Sequence, residues 1–119
     1  MIQGTFDFTI YQGSTYKQTF LFDDGIDLSN YNIVRMNIRK SPSSDILFDS
    51  TATGNETTLT ISGNAIILNL PAETTEDFDF DTAGYDIEIV KTASPHEVDK
   101  VLGGKITLVR EYTRYEYSV

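Results

Sequence analysis

The feature that most constrains this chain is an alternation of apolar and polar residues with period two, broken again and again by turn-forming residues. TFDFTIYQ, residues 5–12, sets Phe6, Phe8 and Ile10 to one side, and TYKQTFLF, residues 15–22, does the same with Tyr16, Phe20 and Phe22. Successive strand side chains point to opposite faces, so this pattern predicts strands with one buried face. Gly13-Ser14 and Asp23-Asp24-Gly25 are the punctuation, because these residues tolerate the backbone angles of tight turns.

The pattern continues along the chain. In IDLSNYNIVRMNIRK, residues 26–40, Leu28 tucks under the sheet, Ser29 and Asn30 turn the chain, and Tyr31 closes the turn. A strand then places Val34, Met36 and Ile38 on one face and Arg35, Asn37 and Arg39 on the other. SPSSD is a loop and ILFDST, residues 46–51, a short strand. TTLTIS and AIILNL flank Gly63-Asn64, a two-residue hairpin signal. They form a hairpin with Leu59, Ile61, Ile66, Leu68 and Leu70 inward. In PAETTEDFDF, Pro71 followed by acidic residues predicts a short helical turn near 71–78. Gly84 ends that excursion, and GYDIEIVKT turns Tyr85, Ile87 and Ile89 inside. SPHEVDK reads as a connecting turn, and VLGGKITLVRE, residues 101–111, as the last long strand, with Ile106 and Leu108 inward.

Seven or eight short strands at ~8–12-residue spacing predict an all-β sandwich. Strands feeding long helices are missing, which excludes a doubly wound α/β fold. The 119 residues fit a single domain, 1–119. With no cysteine, neither a disulfide nor a thiolate metal site holds it together. MIQGTFDF does not read as a secretory signal. No apolar run approaches the ~20 residues of a spanning helix, so membrane insertion is not expected. Eighteen acidic residues against nine basic ones give a net charge of −9, a field that repels nucleic-acid phosphate and otherwise favours solubility.

Residues with catalytic or metal-binding potential read as structural. Asp77, Asp79 and Asp81 alternate as oxygen ligands for calcium would, but the glycine and closing glutamate of a calcium loop are missing. The run reads as an acidic loop with Phe78 and Phe80 turned inward. His96 is the single histidine and lies in a turn, so no triad or histidine metal site forms around it. No serine sits in a G-x-S-x-G elbow, and a packed sandwich of this size offers no cleft for a glycosidase carboxylate pair. The expectation is no catalytic, metal or cofactor-binding residues, and no enzyme activity.

Two features point to contact. Arg35 and Arg39, with Lys17 on the preceding strand, form a basic stripe on the face away from the core. Two readings stand: pairing with the chain's own carboxylates across strands, or a surface for a neighbouring subunit. Tyr112, Tyr115 and Tyr117 crowd a tyrosine-rich C-terminal tail, residues 112–119. Tyrosine offers large contact area at low entropic cost, so this tail reads as an interaction segment, with a final strand of one aromatic face as the alternative.

Taken together, GSTYKQTF (13–20), the IDLSNY turn (26–31) and a strand ending MNIR (36–39) resemble a family of small tailed-bacteriophage virion proteins. The Gly63-Asn64 hairpin, PAETTEDF, AGYDIEIV and GGKITLVREYTR extend the resemblance over residues 5–114. It implies an immunoglobulin-like antiparallel β-sandwich of seven to eight strands and a non-enzymatic structural role in the phage particle. The implied place is the tail or baseplate. A capsid decoration protein and a carbohydrate-binding host-adhesion module are the alternatives. Implied partners are other virion proteins (tail, baseplate or capsid subunits) and further copies of the chain. The resemblance carries over no catalytic residue and no cofactor, and implies synthesis in the bacterial cytoplasm.

Overall fold

The computed structural model describes residues 4–22, 28–93 and 96–113. The Gly63-Asn64 turn joins β5 (Leu59–Ser62) to β6 (Ala65–Leu70), and β2 (Tyr16–Leu21) lies against the other side of β6. These three form one sheet, in the order β2-β6-β5. The second sheet has the order β1-β8-β7-β3-β4, from β1 (Phe8–Tyr11), β3 (Ile33–Arg39), β4 (Ile46–Asp49), β7 (Thr82–Lys91) and β8 (Glu97–Val109). A 3-10 turn, Leu28–Asn30, precedes β3, and α1 (Ala72–Glu76) joins β6 to β7.

Lettered A to G in chain order, with β4 as C′, the sheets are B-E-D and A-G-F-C-C′. This is the immunoglobulin strand order, with the first strand lying beside the last. That strand departs from the antiparallel expectation, since β1 pairs in parallel with β8, Phe8 beside Ile106 and Tyr11 beside Val109. All other strand pairs are antiparallel.

The alternation in the sequence becomes the core. Phe20, Ile66, Leu68 and Leu70 from the three-stranded sheet meet Ile10, Met36, Ile38, Ile87, Ile89 and Ile106 from the other, all of them buried. Removing such side chains from water is the main stabilising contribution, about 1.5–3 kcal/mol each. Rings stitch the layers where β1 faces β2: Phe8 stacks on Tyr16 with centroids 4.8 Å apart, and Phe6 meets Phe20 edge-on at 5.5 Å. Phe78 and Phe80 are buried as expected and cap the α1 end, and Leu28 is buried under the 3-10 turn.

Two boundaries differ from the sequence reading. Gly84 lies inside β7, opposite Lys105, rather than ending the acidic excursion. The SPHEVDK turn is shorter than expected, because Glu97 to Lys100 already pair with Lys91 to Glu88 as the start of β8. The cross-strand ladder extends a strand through polar residues whose own pattern is weak. The Asp23–Gly25 turn lies outside the described residues.

Two local devices hold the unusual first strand. The Phe6 amide donates to the Gly103 carbonyl at 3.0 Å, and the Tyr85 hydroxyl donates to the Phe6 carbonyl at 2.5 Å. Burial, aided by the charge of Asp7, raises the Tyr85 pKa and keeps that donor protonated. A Cβ on Gly104 would collide with the Phe6 carbonyl and stand 2.8 Å from Asp7 Oδ1, so β1 approaches this closely only over a bare backbone. Beyond β1 the chain turns at Gly13, in the left-handed region at φ +82°, and crosses to the other sheet. The fully buried Thr75 of α1 pins this crossing: its Oγ1 accepts from the Gly13 amide at 3.1 Å and donates to the Ser14 carbonyl at 2.8 Å.

Gly104→Ala is expected to lower stability by about 1–3 kcal/mol in urea unfolding. Gly84→Ala should stay within about 0.5 kcal/mol, because its nearest atoms lie at 3.8 Å. Thr75→Val should cost about 1–3 kcal/mol by removing the partner of two part-buried backbone groups and leaving the buried side chain unable to bond them, and an unchanged midpoint would show that the crossing is held elsewhere.

Candidate interaction surface

Strand register defines what the five-stranded sheet shows on the side away from the core. With Met36, Ile38, Ile87 and Ile106 inward, the outward rows are Ile33-Val90-Val98, Arg35-Glu88-Lys100, Asn37-Asp86-Gly103 and Arg39-Gly84-Lys105. At the far end Tyr11 of β1 stands beside Val109 of β8, both exposed.

The centre of this face is a charge ladder. Glu88, whose side chain is only 14% exposed, receives the Arg35 guanidinium on one side and the Lys100 ammonium at 2.5 Å on the other. Lys100 also reaches Asp86 at 3.2 Å. Burial pushes the Glu88 carboxyl up, but the hydrogen bonds and charges of Lys100 and Arg35 outweigh it and leave the pKa below the usual range. The same contact, mainly its hydrogen bond to Glu88, raises the Lys100 pKa. Of the two readings of the stripe, cross-strand pairing describes Arg35. Its side chain nevertheless stays 43% exposed and open to a neighbour.

Arg39 behaves differently. Its Nη1 donates to the Ser44 carbonyl at 2.8 Å and ties down the SPSSD loop. Lys17 lies on β2, in the other sheet, and is not part of this stripe. The sequence shows that Lys17 is polar and exposed, but sheet membership follows from the crossing at Gly13 and leaves no mark in local pattern. Tyr112 is fully exposed beyond the end of β8, whereas Tyr115 and Tyr117 lie outside the described residues.

In the acidic run, Asp79 and Asp81 form ion pairs. Arg110 reaches Asp79 at 2.8 Å and Asp81 at 3.5 Å. The hydrogen bond and charge of Arg110 hold the Asp79 pKa below the usual range. No group of three or more His, Cys, Asp or Glu with metal-holding geometry occurs among the described residues. His96 is exposed.

Grooves open on the described surface. One, of 880 Å³, runs between the 3-10 turn, the start of β3 and the edge strand β5, lined by Leu28, Tyr31, Val34, Leu59 and Ile61 with Glu56 as its single carboxylate. At its end Tyr31 donates to Asp99; that hydrogen bond, with burial and nearby acidic charge, pushes the Tyr31 pKa up to about 12. Another, of 470 Å³, has Gly84 and Gly104 in its lining beside Arg39, Lys40 and Lys100, and Asp86 as its single carboxylate. Neither holds a carboxylate pair.

The edge of β5 carries a feature that sequence reading missed. Ser62 pairs with Ala65 around the two-residue turn, and the Asn69 amide donates to the Thr58 carbonyl at 2.8 Å. Antiparallel pairing alternates, so Thr58, Thr60 and Ser62 bond to β6 while the backbone groups of Leu59 and Ile61 point to the open edge. The hairpin signal together with the edge position of β5 is what would have revealed it.

No protein-family model and no curated protein matches the sequence. The fold and surface therefore define the class: an immunoglobulin-type β-sandwich with an outward face of paired charges between exposed apolar ends. No helix among the described residues is long and apolar enough to cross a membrane.

The ladder has a signature in pH. The Glu88 pKa is depressed on folding, so its contribution to stability is complete above the unfolded value of about 4.3 and is lost as pH falls through the lower folded value. Glu88→Gln is expected to flatten this acid limb of the stability–pH curve measured by urea midpoints. Glu56→Gln, at an exposed loop position, should leave the limb in place.

Proposed function

We propose that this chain is a non-enzymatic structural component of a tailed-phage virion, of the tail or baseplate, that works through protein–protein contact. The observation that carries the reading is the outward face of the five-stranded sheet. It leaves Tyr11, Ile33, Val98 and Val109 exposed around a ladder whose charges are matched within the chain. Such a surface can be covered by a partner without stranding a charge.

The segments that resemble the phage family also fall at positions that set the fold. Gly13–Phe20 holds the crossing between sheets and β2, the IDLSNY segment reaches the Leu28 turn and Tyr31, and PAETTEDF supplies α1 with Thr75. The open backbone groups of Leu59 and Ile61 offer a neighbour an edge for strand addition. With copies arranged symmetrically in a particle, modest contacts sum to stable attachment.

A carbohydrate-binding adhesion module is the second reading, favoured by the exposed aromatic rings of Tyr11 and Tyr112 where β1 and β8 finish. A glycan array with the purified chain separates it: binding lost in Tyr11→Ala would support adhesion, and silence across the array would remove it. The primary test is a cryo-EM reconstruction of the purified particle. Density for this chain on the tail or baseplate is expected. Density on the capsid lattice would make it a decoration protein, and absence from the particle would overturn the structural assignment.

A further inference from the structure

Two independent features mark the outward face of the five-stranded sheet. The first is charge. Strand register sets Arg35, Arg39, Lys100 and Lys105 on this face, with Asp7, Asp49, Asp86 and Glu88. On the strands the four cations and four anions cancel, so the face is close to neutral in a chain of net charge −9. A nearly neutral face lets two copies of an acidic chain approach with little mutual repulsion.

The second is apolar exposure. Among the described residues seven large hydrophobic side chains are exposed, and five of them belong to this face: Tyr11, Ile33, Val98, Val109 and, opposite Arg39 on the edge strand, Ile46. Val90, between Ile33 and Val98, is 2% exposed yet stands apart from the core cluster, so the row already forms an apolar centre on the outside of the sheet.

We infer that this face is the interface of a two-fold homodimer, in which the five-stranded sheets of two copies pack face to face. The occupant is a second copy because the face is complementary to itself. It has an apolar end at Ile33-Val90-Val98, a second apolar end at Tyr11-Val109, and the charge ladder between them. A two-fold axis along the strands keeps each row at its own height, so the Ile33-Val90-Val98 row meets its own copy. With the axis on either side of β7, Val90 meets Ile33 or Val98 and Glu88 meets Arg35 or Lys100 of the second copy, so apolar meets apolar and opposite charges meet, as a complementary isologous contact requires.

The size is adequate. Five strands ~4.8 Å apart, from the four residues of β1 and β4 to the thirteen of β8 at ~3.3 Å each, present a flat footprint of roughly 600 Å², at the lower end of the standard range. A standard interface covers about 800 Å² per partner. The dimer goes beyond the virion reading and stands without it, since it would form in the isolated chain.

The test is sedimentation velocity of the purified full chain across the micromolar range, with Ile33→Glu, Val98→Glu and, as control, Leu21→Glu. Leu21 is exposed on the three-stranded sheet, off the proposed interface. The wild type and Leu21→Glu are expected to dimerise alike. Each face variant should weaken the dimer by about tenfold or more, because the symmetry places every new carboxylate in the interface twice. Tyr11→Glu at the opposite end is a further face variant should one of the others fail to fold, which far-UV circular dichroism reports. A wild type that stays monomeric at high micromolar concentration would overturn the dimer. So would a dimer that ignores the face variants, or one that Leu21→Glu alone disrupts. None of these results bears on whether the chain is found in a phage particle.

Discussion

The rest of the sandwich depends on the crossing between Tyr11 and Tyr16, where the chain leaves the five-stranded sheet and enters the three-stranded one. A β-strand buries one face only, and here the two faces that must be buried belong to sheets linked by four residues. The turn at Gly13 directs the chain across, and Thr75 satisfies its backbone from the other side of the core. Gln12 adds a second anchor, donating to the Phe78 carbonyl at 2.9 Å and accepting from the Glu111 amide at 3.2 Å. One short segment thereby ties α1, the end of β8 and both sheets, and buried polar groups held this way fix a register that apolar packing alone leaves loose.

The crossing also accounts for the parallel pairing of β1. A strand that must exit toward the opposite sheet at the α1 end runs in the same direction as β8, which finishes there. The close approach at Gly104 and the hydroxyl of Tyr85 hold it in place. Because β1 extends the sheet beyond β8, Tyr11 comes to lie beside Val109, and the outward face gains its second apolar end.

That face gathers residues that sequence alone distributes over separate strands. Glu88 and Lys100 lie on neighbouring strands of a long hairpin, and Arg35 comes from a strand more than fifty positions upstream of Glu88. Charges matched inside the chain leave the surface neutral, and neutrality on an acidic protein is itself a form of selectivity for what can approach. Arg39 shows the contrast: a residue of the same type four positions on serves to close a loop instead.

Much of the architecture is legible in the sequence. Period-two alternation located the strands, the Gly63-Asn64 turn fixed the hairpin, and Phe78 and Phe80 showed the inward side of the acidic run. The limits at Gly84 and Glu97 were missed because a ladder partner, not local composition, extends those strands. Of the predicted contact residues, Arg35 was legible as outward-facing, but its partner Glu88 was not, and Thr75 gave no signal within a run of polar residues. What the sequence determined by itself is the set of strands and which side of each is apolar, because side-chain direction along a strand is a local property of the backbone. Which strands share a sheet, which charges meet and where apolar residues remain uncovered were decided only by the tertiary structure. Those outcomes follow from pairings between distant segments, and the energy of such pairings has no local trace in the chain.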